Sequence, residues 1–442
     1  MSEKIIIEFD DEEENNKQAE GKAEGKAEEK NKDKKDSDDN RIVIDFDIEP
    51  EKEKKIIEVE DIEAGYEEKI RNSEVNSFYR GNSFLNNSFI TDLKFPEGID
   101  NGFRKKFSIR LRDEFFNSIL ENNKYIITAS RTGGIYLTDR FTGKIKDKIF
   151  IENESFEKTG IVYENTIYLN SLKKIFRIRT NADGTNLPEE IYHADNEFFI
   201  WSSLNRHRDF IVFTEYNISG KKAFIRIIDT KNINPVFDFA FEVKNFLSDR
   251  ICIADGSLYI LCDNSILIYD LERMVAKEEM LNIKTDENSF IFYLNYRIYI
   301  TALDNELFYI DLPPVNYRFK TTGIKNAYIN SIGGFADNIF IGTLDGWKYC
   351  KSSGLQVYSH EDEYENKIEC ISKHILVISQ SNKIVFCNLN RFQEAEGYVI
   401  ASNEKNESVE IVSAVISNNE IFLLTANGIL EVFTNDKLNI HI

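Results

Sequence analysis

The chain has 442 residues, a length that accommodates about three ordinary domains or one large β-rich domain with something beside it. Its 55 Lys and Arg against 76 Asp and Glu leave a formal charge of −21, which argues against a sequence-blind nucleic-acid or anionic-membrane binder, since both need a positive face. Apolar residues are plentiful enough for a large core, and 33 Phe with 20 Tyr favour pleated strands over helices.

Residues 1–80 hold 27 acidic and 15 basic side chains, net −12, so less than a fifth of the chain carries over half of its charge. Between Glu14 and Asn40 there is no large apolar residue, and such a stretch cannot bury enough surface to offset its conformational entropy. A disordered acidic arm is therefore predicted. Three islands interrupt it at residues 4–10, 41–47 and 55–61, each a basic residue followed by β-branched residues and then alternating acidic and apolar positions. Their candidate binding residues are Ile5, Ile6, Ile7 and Phe9; Ile42, Val43, Ile44 and Phe46; and Ile56, Ile57 and Val59. Short strands of this kind can add to an exposed sheet edge of a protein partner, with the acids selecting a basic rim. The opening residues contain only a three-residue apolar run, Ile5 to Ile7, and no run of 18 apolar residues occurs anywhere, so a cytoplasmic, non-inserted protein is expected. Residues 81–104 read as a linker, preceded and entered by the triplets Asn76-Ser77-Phe78, Asn82-Ser83-Phe84 and Asn87-Ser88-Phe89.

From residue 105 one unit recurs: an apolar strand, a short polar turn, and a second strand that often ends in Asp. Anchored on the first large apolar residue of each second strand, the copies fall at Ile135, Ile175, Ile225, Ile266, Leu307, Trp347, Ile384 and Ile429. The mean spacing is 42 residues, which suits the four-stranded blade of a β-propeller. An all-β, single eight-bladed β-propeller over residues 105–442 is predicted, or a seven-bladed one if a unit is miscounted. Stacking the sheets around a ring covers both apolar faces of each, and closure protects the edges. Phe107 to Leu111 and Leu438 to Ile442 both read as strands that could close the seam.

The run Gly134-Ile135-Tyr136-Leu137-Thr138-Asp139 followed by Thr142-Gly143-Lys144 resembles the pyrroloquinoline-quinone-like (quinoprotein-type) repeat of the WD40-like β-propellers, and Asp183-Gly184-Thr185-Asn186 is similar to the turn of TolB-type propellers. The resemblance implies the fold. The chain departs from the dehydrogenases of that group in having no vicinal cysteines and only two Trp, Trp201 and Trp347, so it is most similar to the non-catalytic members, which act as scaffolds or assembly factors.

Few residues suggest chemistry. His193, His207, His360, His374 and His441 lie far apart, and the five cysteines, Cys252, Cys262, Cys350, Cys370 and Cys387, form no CxxC pair and read as reduced core residues. Asn181 to Asn186 lacks the Glu of a calcium loop at its twelfth position, which is Tyr192. Ser130 to Gly134 and Ile332 to Gly334 read as glycine turns without phosphate-loop spacing. No catalytic residue, cofactor or metal is expected. The predicted function is a non-enzymatic scaffold or assembly factor, with the propeller face docking one protein and the arm another. The alternative is a small-ligand-binding propeller, or a hydrolase or lyase, with its site in the central funnel, where converging His, carboxylates or Arg would be required.

Overall fold

The computed structural model describes residues 103–435 except 181–185, 234, 313–317, 325–327, 353–355, 362–364, 381–382, 390–394, 400–409 and 418–419. Every regular element among them is a strand, and the strands form eight antiparallel sheets that are the blades of a propeller ring. Named from the inside outwards, blade 1 comprises Leu120–Glu121, Tyr125–Ala129, Gly134–Asp139 and Ile145–Phe150, and blade 2 Ile161–Tyr163, Thr166–Asn170, Lys174–Arg179 and Pro188–His193. Blades 4 to 7 start at Leu247–Ala254, Ile291–Leu294, Ile329–Phe335 and Asn366–Ile371, and each repeats the same four-strand meander.

All eight predicted hairpins are the second and third strands of a blade, and all eight anchor residues are buried. The longest interval, 50 residues from Ile175 to Ile225, has a structural reason. Blade 3 has five strands, because two short pieces, Phe199–Ile200 and Asn205–His207, share the role of inner strand and both pair with Phe210–Asn217.

The predicted seam is resolved in favour of the N-terminal strand. Arg104–Arg110 pairs antiparallel with Ile429–Thr434 and completes blade 8, whose other strands are Ile411–Ser417 and Glu420–Thr425. Leu438 to Ile442 lies outside the described residues.

The core is an annulus of apolar clusters, each lying between successive blades. In blade 1, Ile126 and Tyr136 join the cluster shared with blades 7 and 8, while Ile127, Ile135 and Leu137 join the one shared with blade 2. Both faces of each sheet are therefore buried, which is why the strands read as continuous apolar runs rather than alternating ones. Directly opposed aromatic rings on neighbouring strands of one blade add to this packing: Phe292 stacks on Tyr299 at 4.9 Å in blade 5 and Phe340 on Tyr349 at 4.9 Å in blade 6.

The recurrent Asp at the end of the third strand is a turn device. The Asp139 carboxylate accepts hydrogen bonds from Thr142 N–H at 2.8 Å, Thr142 Oγ1–H at 2.9 Å and Phe141 N–H at 3.1 Å, and Asp270 accepts from Glu272 and Arg273 N–H in the same way. Gly143, in the left-handed region at φ +69°, completes the first of these turns, and a Cβ there would meet the Phe107 ring of the closing strand at 2.8 Å. The Thr142 amide, its hydroxyl and the Phe141 amide hold the Asp139 carboxyl below its ordinary pKa. A depressed carboxyl stabilises the fold above its unfolded pKa of about 3.9, and that contribution is lost as pH falls through the folded value. Asp139→Ala is accordingly expected to cost about 1–2 kcal/mol at neutral pH. The gap to the parent protein should narrow below about pH 4, as read from urea midpoints at pH 7 and pH 3.5.

One turn assignment fails. Ile332, Gly333 and Gly334 lie in the inner strand of blade 6, not in a turn. A Cβ on Gly334 would stand 2.7 Å from Leu294 Cδ2, so glycine is used there for close approach of blades 5 and 6.

Candidate interaction face

Strands of a blade alternate in direction, so the turns between second and third strands share one face of the ring with the connections between blades. The reversals on this face fall at Asp263-Asn264, Ala302 to Glu306, Leu344-Asp345 and Ala426 to Gly428, and that of blade 7 lies outside the described residues.

Around the axis, the inner strands are joined by hydroxyl groups. Ser413 Oγ accepts from Ile119 N–H at 3.0 Å, Thr159 Oγ1 from Ser118 N–H at 3.0 Å, Ser203 Oγ from Thr159 N–H at 3.2 Å, and Ser331 Oγ from Ile368 N–H at 2.7 Å. Each bond crosses from one blade to the next. Register shifts in the inner strands of blades 4, 6, 7 and 8 belong to the same region, since an extra residue there re-aims the side chains. Polar pairs in this region are Lys158 with Asp249, which joins blades 2 and 4 past the inner strand of blade 3, Asn330 Nδ2–H with Glu365 at 3.0 Å, and Lys367 with Glu410 at 3.8 Å.

Among the described residues, no three His, Cys, Asp or Glu side chains are grouped as metal ligands. His193 is bonded to Glu190 at 3.2 Å, burial lowers the pKa of His207, and His360 lies 5.8 Å from the Trp347 ring. All five cysteines are buried and none is in a disulfide; burial pushes the Cys262, Cys350 and Cys387 thiols up to about 12 and raises those of Cys252 and Cys370 too.

What this face does present is apolar surface. The tips of the second-to-third-strand turns expose Leu172 (58%), Ile218 (55%), Leu303 (55%) and Leu344 (50%) in blades 2, 3, 5 and 6. The connections add Phe116 before blade 1 and Tyr328 before blade 6, with the Arg131 guanidinium 5.2 Å from the Phe116 ring. Beside Leu303 is a groove of about 490 Å³, lined by Asn282, Ile283, Lys284, Ala302, Leu303, Asp304 and Phe308. Its walls are fixed in advance. Leu303 N–H donates to Lys284 C=O at 2.8 Å, while the Asn282 amide both donates to Phe319 C=O at 3.1 Å and accepts from Phe319 N–H at 2.9 Å.

Sequence reasoning missed these residues because a single Leu inside a polar turn carries no pattern; only the repeat position shared by several blades marks it. The arm residues proposed from sequence, Ile5, Ile6, Ile7, Phe9, Ile42, Val43, Ile44, Phe46, Ile56, Ile57 and Val59, lie outside the described residues.

No protein-family profile matches the chain, and no curated protein does. Among solved structures, the computationally designed Ika8 protein is 12% identical, with 75% of this chain and 99% of that one covered at a TM-score of 0.58. The quinohemoprotein alcohol dehydrogenase ADHIIG from Pseudomonas putida HK5 is 6% identical, with 84% and 81% covered and a TM-score of 0.60. BamB from Moraxella catarrhalis is 10% identical, with 80% and 97% covered and a TM-score of 0.47. Likeness to a quinohemoprotein at this identity agrees in fold with the repeat read from Gly134 to Lys144, and it extends to the fold alone.

Proposed function

We propose that the protein is a non-enzymatic interaction module whose turn face docks a folded protein partner. The observation that supports this is the recurrence of an exposed aliphatic residue at the same turn in four blades, all on one face. One exposed Leu needs no explanation, but a repeated row on a rigid ring, flanked by a preformed groove, has the features of an interface with apolar anchors and a polar rim. The matching partner surface presents an aliphatic or aromatic anchor for the groove, with polar groups to meet Lys284 and Asp304 on its walls. Acidic islands at 4–10, 41–47 and 55–61 would engage a second, basic-rimmed partner, which makes the chain a connector.

Leu303→Glu with Leu344→Glu tests this. Both side chains are half exposed or more, so the unfolding midpoint should move by no more than about 0.5 kcal/mol equivalent. Recovery of a stoichiometric partner in a tagged pull-down should fall at least about tenfold, the effect of losing roughly 1.4 kcal/mol of binding. Undiminished recovery by this variant would remove the turn face from the interface.

A further inference from the structure

The groove beside Leu303 is bordered by charge of one dominant sign. In the connections and second-to-third-strand turns of blades 5 and 6, the described residues carry five acids, Asp286, Glu287, Asp304, Glu306 and Asp345, against one base, Lys284. Two of the acids are used inside the fold. Asp286 accepts from Ser289 Oγ–H at 3.1 Å and Asn288 N–H at 3.0 Å, and the buried Glu306 accepts from Thr321 Oγ1–H. Glu287, Asp304 and Asp345 are exposed and have no ion-pair partner among the described residues. Asp345 is held at its turn tip by Thr343 Oγ1–H, which donates to it at 2.8 Å.

The same sector supplies apolar surface for an anchor. Ile283 and Ala302, both buried, and the partly buried Phe308 line the groove, with Leu303 exposed beside them. Tyr328 and Leu344 add exposed apolar area in blade 6. At about 490 Å³ the groove is in the size range of sites that enclose whole small ligands, about 300–1,000 Å³, so it has room for a bulky side chain. Its walls are already hydrogen-bonded, so filling it requires little reordering of this chain.

We propose, building on the turn face as a docking surface, that this groove takes a cationic segment of a partner protein: an aliphatic or aromatic anchor flanked by Lys or Arg. The anchor replaces water in the groove, and the flanking cations meet Glu287 and Asp304 on blade 5 and Asp345 on blade 6. Long-range attraction then steers the segment, and apolar contact holds it. Lys284 has the wrong sign for this occupant and lowers its affinity. Acid-flanked segments such as residues 4–10, or a second copy of this chain with its net charge of −21, meet like charge at the same rim.

A phage-displayed library of random peptides tests this on the full chain. The library passes first over immobilised Leu303→Glu protein, which keeps the acidic arm and removes peptides bound outside the groove. Peptides then captured by the parent chain are sequenced, and a synthetic copy of the most enriched one is titrated by fluorescence polarisation. Enriched peptides are expected to carry an apolar anchor with flanking Lys or Arg. Affinity for the synthetic peptide should fall about tenfold in Glu287→Lys/Asp304→Lys and rise about threefold in Lys284→Glu. It should also weaken at about 1 M salt, where the screening length is about 3 Å. Enrichment of acid-flanked anchors overturns the proposal and assigns the groove to a segment like the chain's own islands. Enrichment of uncharged anchors, indifferent to the charge variants and to salt, overturns it while leaving the apolar docking face in place. If no peptide distinguishes the parent from Leu303→Glu, the proposal falls and the groove leaves the docking face with it.

Discussion

Deleting residues 1–110 is expected to abolish the single cooperative unfolding transition of the ring, whereas deleting residues 1–102 should preserve it. The two truncations differ by Phe103 and the closing strand. That strand contributes every backbone bond on one side of Ile429–Thr434, six residues that are all buried. It also brings Phe103 against Phe386 in blade 7 at 4.7 Å, Phe107 against the Gly143 turn of blade 1, and Lys105 to the fully buried Glu431 at 2.6 Å. Losing these together costs several kcal/mol from a total that is typically about 5–15 kcal/mol, and leaves an apolar strand as a free edge. Light scattering should show association of the shorter protein, and a peptide of residues 103–112 supplied in trans should suppress it. An unchanged urea midpoint after deleting 1–110 would mean that blade 8 closes by some other strand.

Why one seam was legible only as a choice of two follows from chemistry. Phe107 to Leu111 and Leu438 to Ile442 have equal strand character, and nothing local says which reaches Ile429–Thr434; the pairing is a property of the closed ring. The middle hairpins were readable because burial on both faces forces runs such as Ile298 to Ile300 and Ile339 to Ile341 to be apolar throughout. Inner strands were not. Asn205-Arg206-His207 and the bulged Leu247–Ala254 carry polar residues that face the axis or bond across blades, so neither period 2 nor an apolar run survives in them. Gly333 and Gly334 misled in the same way, because glycine selected for blade contact is indistinguishable in sequence from glycine selected for a turn. The candidate face was less legible than the fold, since exposed Leu172, Leu303 and Leu344 are informative only after the turns are known to share one side of the ring.

The buried charge network at the same seam leads to the last expectation, that Arg140→Met destabilises the protein by about 3–5 kcal/mol. Arg140 lies at the turn after the third strand of blade 1 and its side chain is 4% exposed. Its Nη1–H donates to Glu121 Oε2 at 3.0 Å, its Nε–H to Glu420 Oε2 at 3.0 Å, and its Nη2–H to Ser417 C=O at 2.9 Å, with the guanidinium 5.1 Å from the Phe422 ring. Replacing the guanidinium removes these bonds from the buried Glu121 and from the partly buried Glu420, which is also bonded to Lys106, and a buried carboxylate deprived of its guanidinium is far costlier than an intact network. The triple variant Arg140→Met/Glu121→Gln/Glu420→Gln removes those charges together, so it should regain most of the lost urea midpoint. A single variant as stable as the parent would show that water reaches the carboxylates. If the single variant is crippled and the triple variant recovers, the network acts mainly to select this pairing of blade 8 with blade 1, because neutral groups of similar shape then supply comparable stability without specifying the partner.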